Sequence, residues 1–153
     1  MTLLLNKIWM DIEFDIEFNN KGNIKELLID YFGEKEYSNE GKKSMPCNQC
    51  GIMQKKLKEI KSIYITPEVI VFHFNNNAIL ENYIDIIENK EGNIKKYELK
   101  SIIFRKKDKN EINYELAVKN NNEKWIYYTN NGVNPLSLNE IIKKEGICTA
   151  LYK

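Results

Sequence analysis

The side chains able to do covalent or metal chemistry are few. Cys47, Cys50, Cys148 and His73 are the only thiols and the only imidazole among the 153 residues. Cys47-Asn48-Gln49-Cys50 has the spacing that lets two thiolates reach one tetrahedral ion, but a structural zinc takes four ligands. Only Cys148 and His73 remain within the chain, and both fall in strand-like runs. No metal, cofactor or catalytic residue is therefore assigned, and Cys47 and Cys50 read as half a zinc knuckle, open to ligands from another chain. His73 lies inside the run Val69 to Phe74 and reads as a structural strand residue. Cys148, in the C-terminal run, reads as a small buried thiol.

Charged side chains form the second set of candidates. From Asp11 to Phe18 the chain alternates Ile12, Phe14, Ile16 and Phe18 with Asp11, Glu13, Asp15 and Glu17. On a strand this puts carboxylates about 7 Å apart along one face. A uniform exposed row titrates together, so paired acid/base work is not expected, and the row reads as a solvated face or a docking surface for a basic partner. Its counterparts are Lys55, Lys56, Lys58 and Lys61, then Arg105, Lys106, Lys107 and Lys109. Such clusters can touch phosphates, which makes RNA a candidate partner, but no aromatic interleaving or RNA-binding motif accompanies them.

Net charge is +1 overall, with 23 basic and 22 acidic residues. Up to Cys50 there are 6 lysines against 9 carboxylates, and after it 17 cations against 13, so the halves suit different partners. The apolar start Leu3-Leu4-Leu5 is broken by Asn6 and Lys7, far short of a signal core or the roughly 20 residues of a membrane span. A reducing, intracellular compartment, cytoplasmic or nuclear, and no membrane partner are the expectation. The odd cysteine count agrees with reduced thiols.

Two elements that position these residues are helical. Asn23 caps a helix carrying Ile24, Leu27, Leu28, Tyr31 and Phe32, with Glu26 at the third position and Gly33 as a left-handed stop. Ser137 with Glu140 opens a second helix from about Leu138 to Lys144, closed by Gly146. Residues 34 to 58 are polar and form a protruding loop or hairpin. Strand-like runs fall at 60 to 65, 69 to 74, 83 to 87, 97 to 104, 113 to 119, 124 to 129 and 147 to 152, separated by Asn, Lys and Gly turns. The Asn75 to Asn77 and Asn120 to Asn122 triplets read as turns. One or two short helices followed by strands, without βαβ alternation, predict a single α+β domain over 1–153 with a mainly antiparallel sheet.

Read in order, several segments resemble the ubiquitin-specific proteases, papain-like deubiquitinases built of thumb, palm and fingers. Trp9 to Ile16 resembles the family's "F-x-D-L-x-L-x-I" strand, and Ile24 to Glu36 its "S-L-x-x-C-L-x-x-F-F-x-x-E" helix. Cys47 and Cys50 fall where the second knuckle of the fingers belongs. Pro67 to Phe74 is similar to the palm strand that ends in Lys-Arg-Phe, here Asn75, Asn76 and Asn77. Tyr97-Glu98-Leu99 with Ile102-Ile103 resembles "Y-x-L-x-x-V-I", Trp125 to Val133 resembles "W-Y-x-F-N-D-x-x-V", and Ile147 to Tyr152 stands for "A-Y-x-L-x-Y".

The resemblance implies a palm with partial fingers, and also a loss of chemistry. Eight residues stand where the Cys box and thumb should precede Trp9. The Gly-His-Tyr position reads Ile112-Asn113-Tyr114, and an asparagine amide cannot take a thiol proton. Asn130 fills the third position, acceptable in the family but with nothing to orient. Asn113 and Asn130 are vestigial positions on this reading. The expectation is a eukaryotic pseudo-deubiquitinase acting as a protein-interaction or scaffold subunit, with ubiquitin among its candidate partners. Two alternatives stand beside it: half of a split deubiquitinase, and an accessory subunit of a ribonucleoprotein assembly such as a ribosome or spliceosome.

Overall fold

The structure, a computed structural model, describes residues 13–33, 35–38, 56–59, 66–88, 92–108 and 111–153. The acidic alternation forms β1 (Glu13–Phe18), which leads through the two-residue β2 (Gly22–Asn23) into α1 (Ile24–Phe32). The Asn23 side chain accepts the Lys25 N–H at 2.8 Å, satisfying one orphan donor of the first turn. Ile24, Leu27 and Leu28 are buried on one side of this helix.

Gly33 ends α1 for a different reason than its sequence position predicts. Its backbone is extended, not left-handed. A Cβ there would stand 2.7 Å from the carbonyl oxygen of Ile29, so close approach, and not a positive φ, requires glycine.

β3 (Lys35–Ser38) pairs antiparallel with β4 (Lys56–Glu59) at the two ends of the polar segment. The remaining strands are β5 (Val69–Phe74), β6 (Ala78–Ile79), β7 (Tyr83–Glu88), β8 (Asn93–Asp108), β9 (Glu111–Lys119), β10 (Trp125–Thr129), β11 (Gly132–Leu136) and β12 (Ile147–Tyr152). The run at 60 to 65 lies outside the described residues. The main sheet has the order β1-β5-β12-β8-β9-β10-β11, with β7 on the first half of the 16-residue β8. Within this sheet pairing is antiparallel except between β1 and β5, which run parallel, as does the separate short pair β2–β6. The α+β class with a mainly antiparallel sheet is what is found. No helix among the described residues is long and apolar enough to cross a membrane.

α2 (Leu138–Ile141) is one turn long, shorter than the expected run to Lys144. The Ser137/Glu140 capping box forms as read, in both directions. The chain then turns through Gly146, whose φ of +86° and whose position 2.5 Å from the Arg105 carbonyl oxygen for an added Cβ both demand glycine.

The pleat separates two unlike faces. Ile16, Ile70, Phe72, Leu99, Ile102 and Phe104 are almost wholly buried beneath α1, α2 and the connections. Phe18, Phe72 and Phe74 stack with ring centroids 5.6 to 5.7 Å apart, and Tyr152 meets Phe72 edge-on. Two tyrosine hydroxyls anchor this core to the chain above it: Tyr97 donates to the Pro67 carbonyl, and Tyr152 to that of Glu81 at 2.7 Å. On the opposite face a single cross-strand row starts at Glu17 and His73, passes Thr149, and continues through Ile103, Leu116, Tyr128 and Val133.

Candidate functional site

Asn113 and Asn130, the residues that the resemblance aligns with general base and orienting residue, lie at one end of the β9–β10 ladder. Asn113 stands opposite Lys106 in the β8–β9 ladder. Asn130 is exposed in the turn between β10 and β11, a turn held by the Thr129 hydroxyl, which accepts from the Asn131 N–H at 3.1 Å and donates to the Gly132 carbonyl at 3.2 Å. Neither amide can exchange a proton near neutral pH. His73 lies on β5, three strands from β9, in a row that crosses β9 at Leu116 and not at Asn113. The Cys148 thiol, at a bulge in β12, donates to the Ile103 carbonyl at 3.4 Å and is only partly buried. Cys47 and Cys50 lie outside the described residues. Among the described residues no group of three or more His, Cys, Asp or Glu side chains could hold a metal ion.

The most nearly catalytic arrangement is one the sequence did not announce. His73 Nδ1 lies 3.3 Å from the Thr149 hydroxyl, and His73 Nε2 lies 3.8 Å from Asp15 Oδ1. Hydroxyl, imidazole and carboxylate thus follow one another across β12, β5 and β1. Its setting argues against nucleophilic work. The His73 and Asp15 side chains are 46% and 70% exposed, on an open sheet where water competes for every contact. The trio joins three strands.

The acidic row is partly engaged by its neighbours. Glu17 accepts from the Asn75 amide at 2.6 Å, while Asp15 faces His73. Asn75 also donates to Asn19 at 2.7 Å, so the first asparagine triplet ties the β5 turn back to β1. Asp11 lies outside the described residues, and Glu13 is described only in its backbone.

The basic candidates do not form one cluster. Lys55, Lys61 and Lys109 fall outside the described residues, and Lys56 and Lys58 are placed only as backbone in β4. The pleat divides the Arg105 to Lys107 run: Arg105 and Lys107 are exposed on the outer face, whereas Lys106 turns the other way and donates to the Glu145 carbonyl at 2.7 Å. Arg105 shares a polar hollow of about 300 Å³ with Lys21 and Asn75 to Asn77.

Sequence reading missed an ion network at the other end of β9. The Lys119 ammonium bridges the Glu98 and Glu123 carboxylates, and Glu98 also pairs with Lys100. Hydrogen bonds from Lys100 and Lys119 hold the Glu98 carboxyl down to about 2. Beside it a hollow of about 520 Å³ is walled by Trp125, Leu136, Leu138 and Asn82, whose buried side-chain oxygen has no donor among the described residues. The link that joins the local pairs Glu98–Lys100 and Lys119–Glu123 spans twenty-one residues, and no local pattern announces it.

No protein-family model and no curated protein matches the chain. Solved structures do. A chain of the SAGA DUB module Ubp8/Sgf11/Sus1/Sgf73 bound to monoubiquitin is 18% identical with a TM-score of 0.74, over 92% of this chain and 34% of that one. A chain of the same module bound to ubiquitin aldehyde gives 18% and 0.70, over 92% and 35%. A chain of the yeast SAGA DUBm with a substituted Sgf73 gives 18% and 0.66, over 88% and 34%. The present chain spans about a third of the length of those it matches. At this identity the likeness is one of fold, and the fold is that of part of a deubiquitinase of the ubiquitin-specific-protease type.

Proposed function

We propose that the chain is a catalytically inactive module on a deubiquitinase-type fold, working through protein–protein contact. What supports this reading is the motif resemblance, which puts Asn113 where that family carries an imidazole, while neither His73 nor the Cys148 thiol lies on a strand next to that of Asn113. Thiol hydrolases need a thiolate and a base in hydrogen-bond reach of each other. Here His73 is engaged with Thr149 and Asp15, and Cys148 with the Ile103 carbonyl.

Ubiquitin is the first partner to try, because two of the similar structures carry it in their own complexes. The experiment is a fluorogenic ubiquitin substrate at high protein concentration, with Cys148→Ala as control, followed by a titration with monoubiquitin. No turnover, with or without ubiquitin binding, is expected. Turnover abolished by Cys148→Ala would overturn the proposal and favour an active half-enzyme.

A further inference from the structure

The outer face of the sheet changes character from one edge to the other. Carboxylates occupy it on β1, His73 and Thr149 follow, and from β8 to β11 it is mainly apolar, with Arg105 and Lys107 of β8 at its upper end opposite Tyr114 and Ile112. Below the row ending Ile103, Leu116, Tyr128 and Val133 runs a second, in which Val118 and Ile126 pair across β9 and β10. Above it, Tyr114 and Ile112 extend the apolar surface along β9.

Ile112, Tyr114, Leu116, Tyr128 and Val133 are 57%, 60%, 36%, 41% and 59% exposed. With roughly 200 Å² for a large side chain, these five show about 500 Å². The half-buried Ile103, Val118 and Ile126 bring the patch to roughly 600–700 Å². That is at or above the largest patch a monomer normally carries, and near the roughly 800 Å² per partner of a stable interface.

We infer that this face is a homodimer interface in which the β8–β11 surfaces of two copies pack sheet on sheet. Three features select a second copy. The surface is an open pleated-sheet face, and the complement of such a face is another, about 10 Å away with strands aligned to about 30°. Edge-to-edge growth is blocked at β11 by Pro135, which has no N–H to offer a further strand. A two-fold axis running along the strands between β9 and β10 lays Leu116 against the partner's Tyr128 and Ile103 against the partner's Val133. The same operation leaves the Asp15 and Glu17 edge outside the contact, so no carboxylate is stripped of water.

The inference rests on the interaction-module reading for its purpose but not for its geometry. A dimer that hydrolysed ubiquitin would sink that reading and leave this one standing; an inactive monomer would do the reverse. The test is sedimentation of the full chain from micromolar to submillimolar concentration, with circular dichroism to verify folding. A concentration-dependent dimer is expected. Leu116→Glu and Val133→Lys should each raise its dissociation constant about tenfold or more, as expected for a buried unpaired charge. Ile29→Glu, 73% exposed on α1, should leave it unchanged. In chains with the three native cysteines replaced by serine, a Leu116→Cys copy mixed with a Tyr128→Cys copy should cross-link better than either alone. A monomer at every concentration, a dimer indifferent to both charged substitutions, or a chain that stays monomeric and uses this face for another protein would each overturn it.

Discussion

Lys119 bridges Glu98 and Glu123, and the Glu98 and Lys119 side chains are only 18% and 9% exposed. With Lys100 also on Glu98, two cations hold one carboxylate ionised well below its ordinary range, at about 2. Because the unfolded chain binds this proton near pH 4.5, the pair's stabilisation is complete above that pH and is lost as pH falls toward about 2. The full shift would convert to about 3 kcal/mol; the cost of desolvating the three charges reduces the expected contribution to about 1–2 kcal/mol. Urea melts from neutral to acid pH should show this slope, and Glu98→Gln should flatten it.

Removing the ammonium instead should cost more than removing the carboxylate. Lys119→Met leaves Glu98 sheltered with one cation in place of two, and leaves Glu123 with none. A loss of about 1–3 kcal/mol, or some 2–12 °C in Tm for a chain of this size, is expected by calorimetry. An unchanged Tm would show the network to be solvent-screened.

Gly146→Ala should be among the more damaging small substitutions. It combines a φ of +86° with a Cβ 2.5 Å from the Arg105 carbonyl oxygen, whose own N–H donates to Gly146 at 2.7 Å. Relief requires separating β8 from the start of β12. A destabilisation of at least about 2 kcal/mol is expected by chemical denaturation, whereas Gly92→Ala, with open space around the Cβ and only the φ penalty, should cost about 1 kcal/mol.

Two of the nine tyrosines should resist alkali. Burial pushes the hydroxyls of Tyr127 and Tyr152 above the usual phenol range, and for Tyr127 the Glu115 carboxylate that accepts its hydrogen bond adds to the shift. The unfolded chain gives up these protons near pH 10 and the folded chain later, so their contribution to stability falls as pH rises above about 10. Ultraviolet difference titration should show at least two phenols that ionise only with unfolding. Tyr152→Phe, which strips the buried Glu81 carbonyl of its donor, should cost about 1–2 kcal/mol.

Local patterns carried most of the elements and few of the contacts. The Val69 to Phe74 and Ile147 to Tyr152 runs match β5 and β12, because alternation and β-branching are read within six residues. Their pairing, and the parallel seat of β1 on β5, depend on partners more than fifty residues away and leave no local mark. β11 falls in none of the strand-like runs; Pro135 is tolerated in it because β11 is the sheet's edge, where a missing N–H costs nothing. Of the candidate site, the Asn113 and Asn130 positions follow from motif order. The Asp15–His73–Thr149 contacts and the Lys119–Glu98 pair do not, since each joins side chains brought together by sheet order.

The cysteine pair gives the last prediction. Cys47 and Cys50 supply two of the four ligands a structural zinc requires, and the core formed by β1, β5, β8 and β12 packs without them. The purified chain should therefore hold less than one zinc, and its melting temperature should not move in chelator. Metal analysis together with melts in the presence and absence of chelator measures both. A stoichiometric zinc whose removal lowers Tm by several degrees would mean that other ligands, from a second chain or from the polar segment around the pair, complete a metal site coupled to folding.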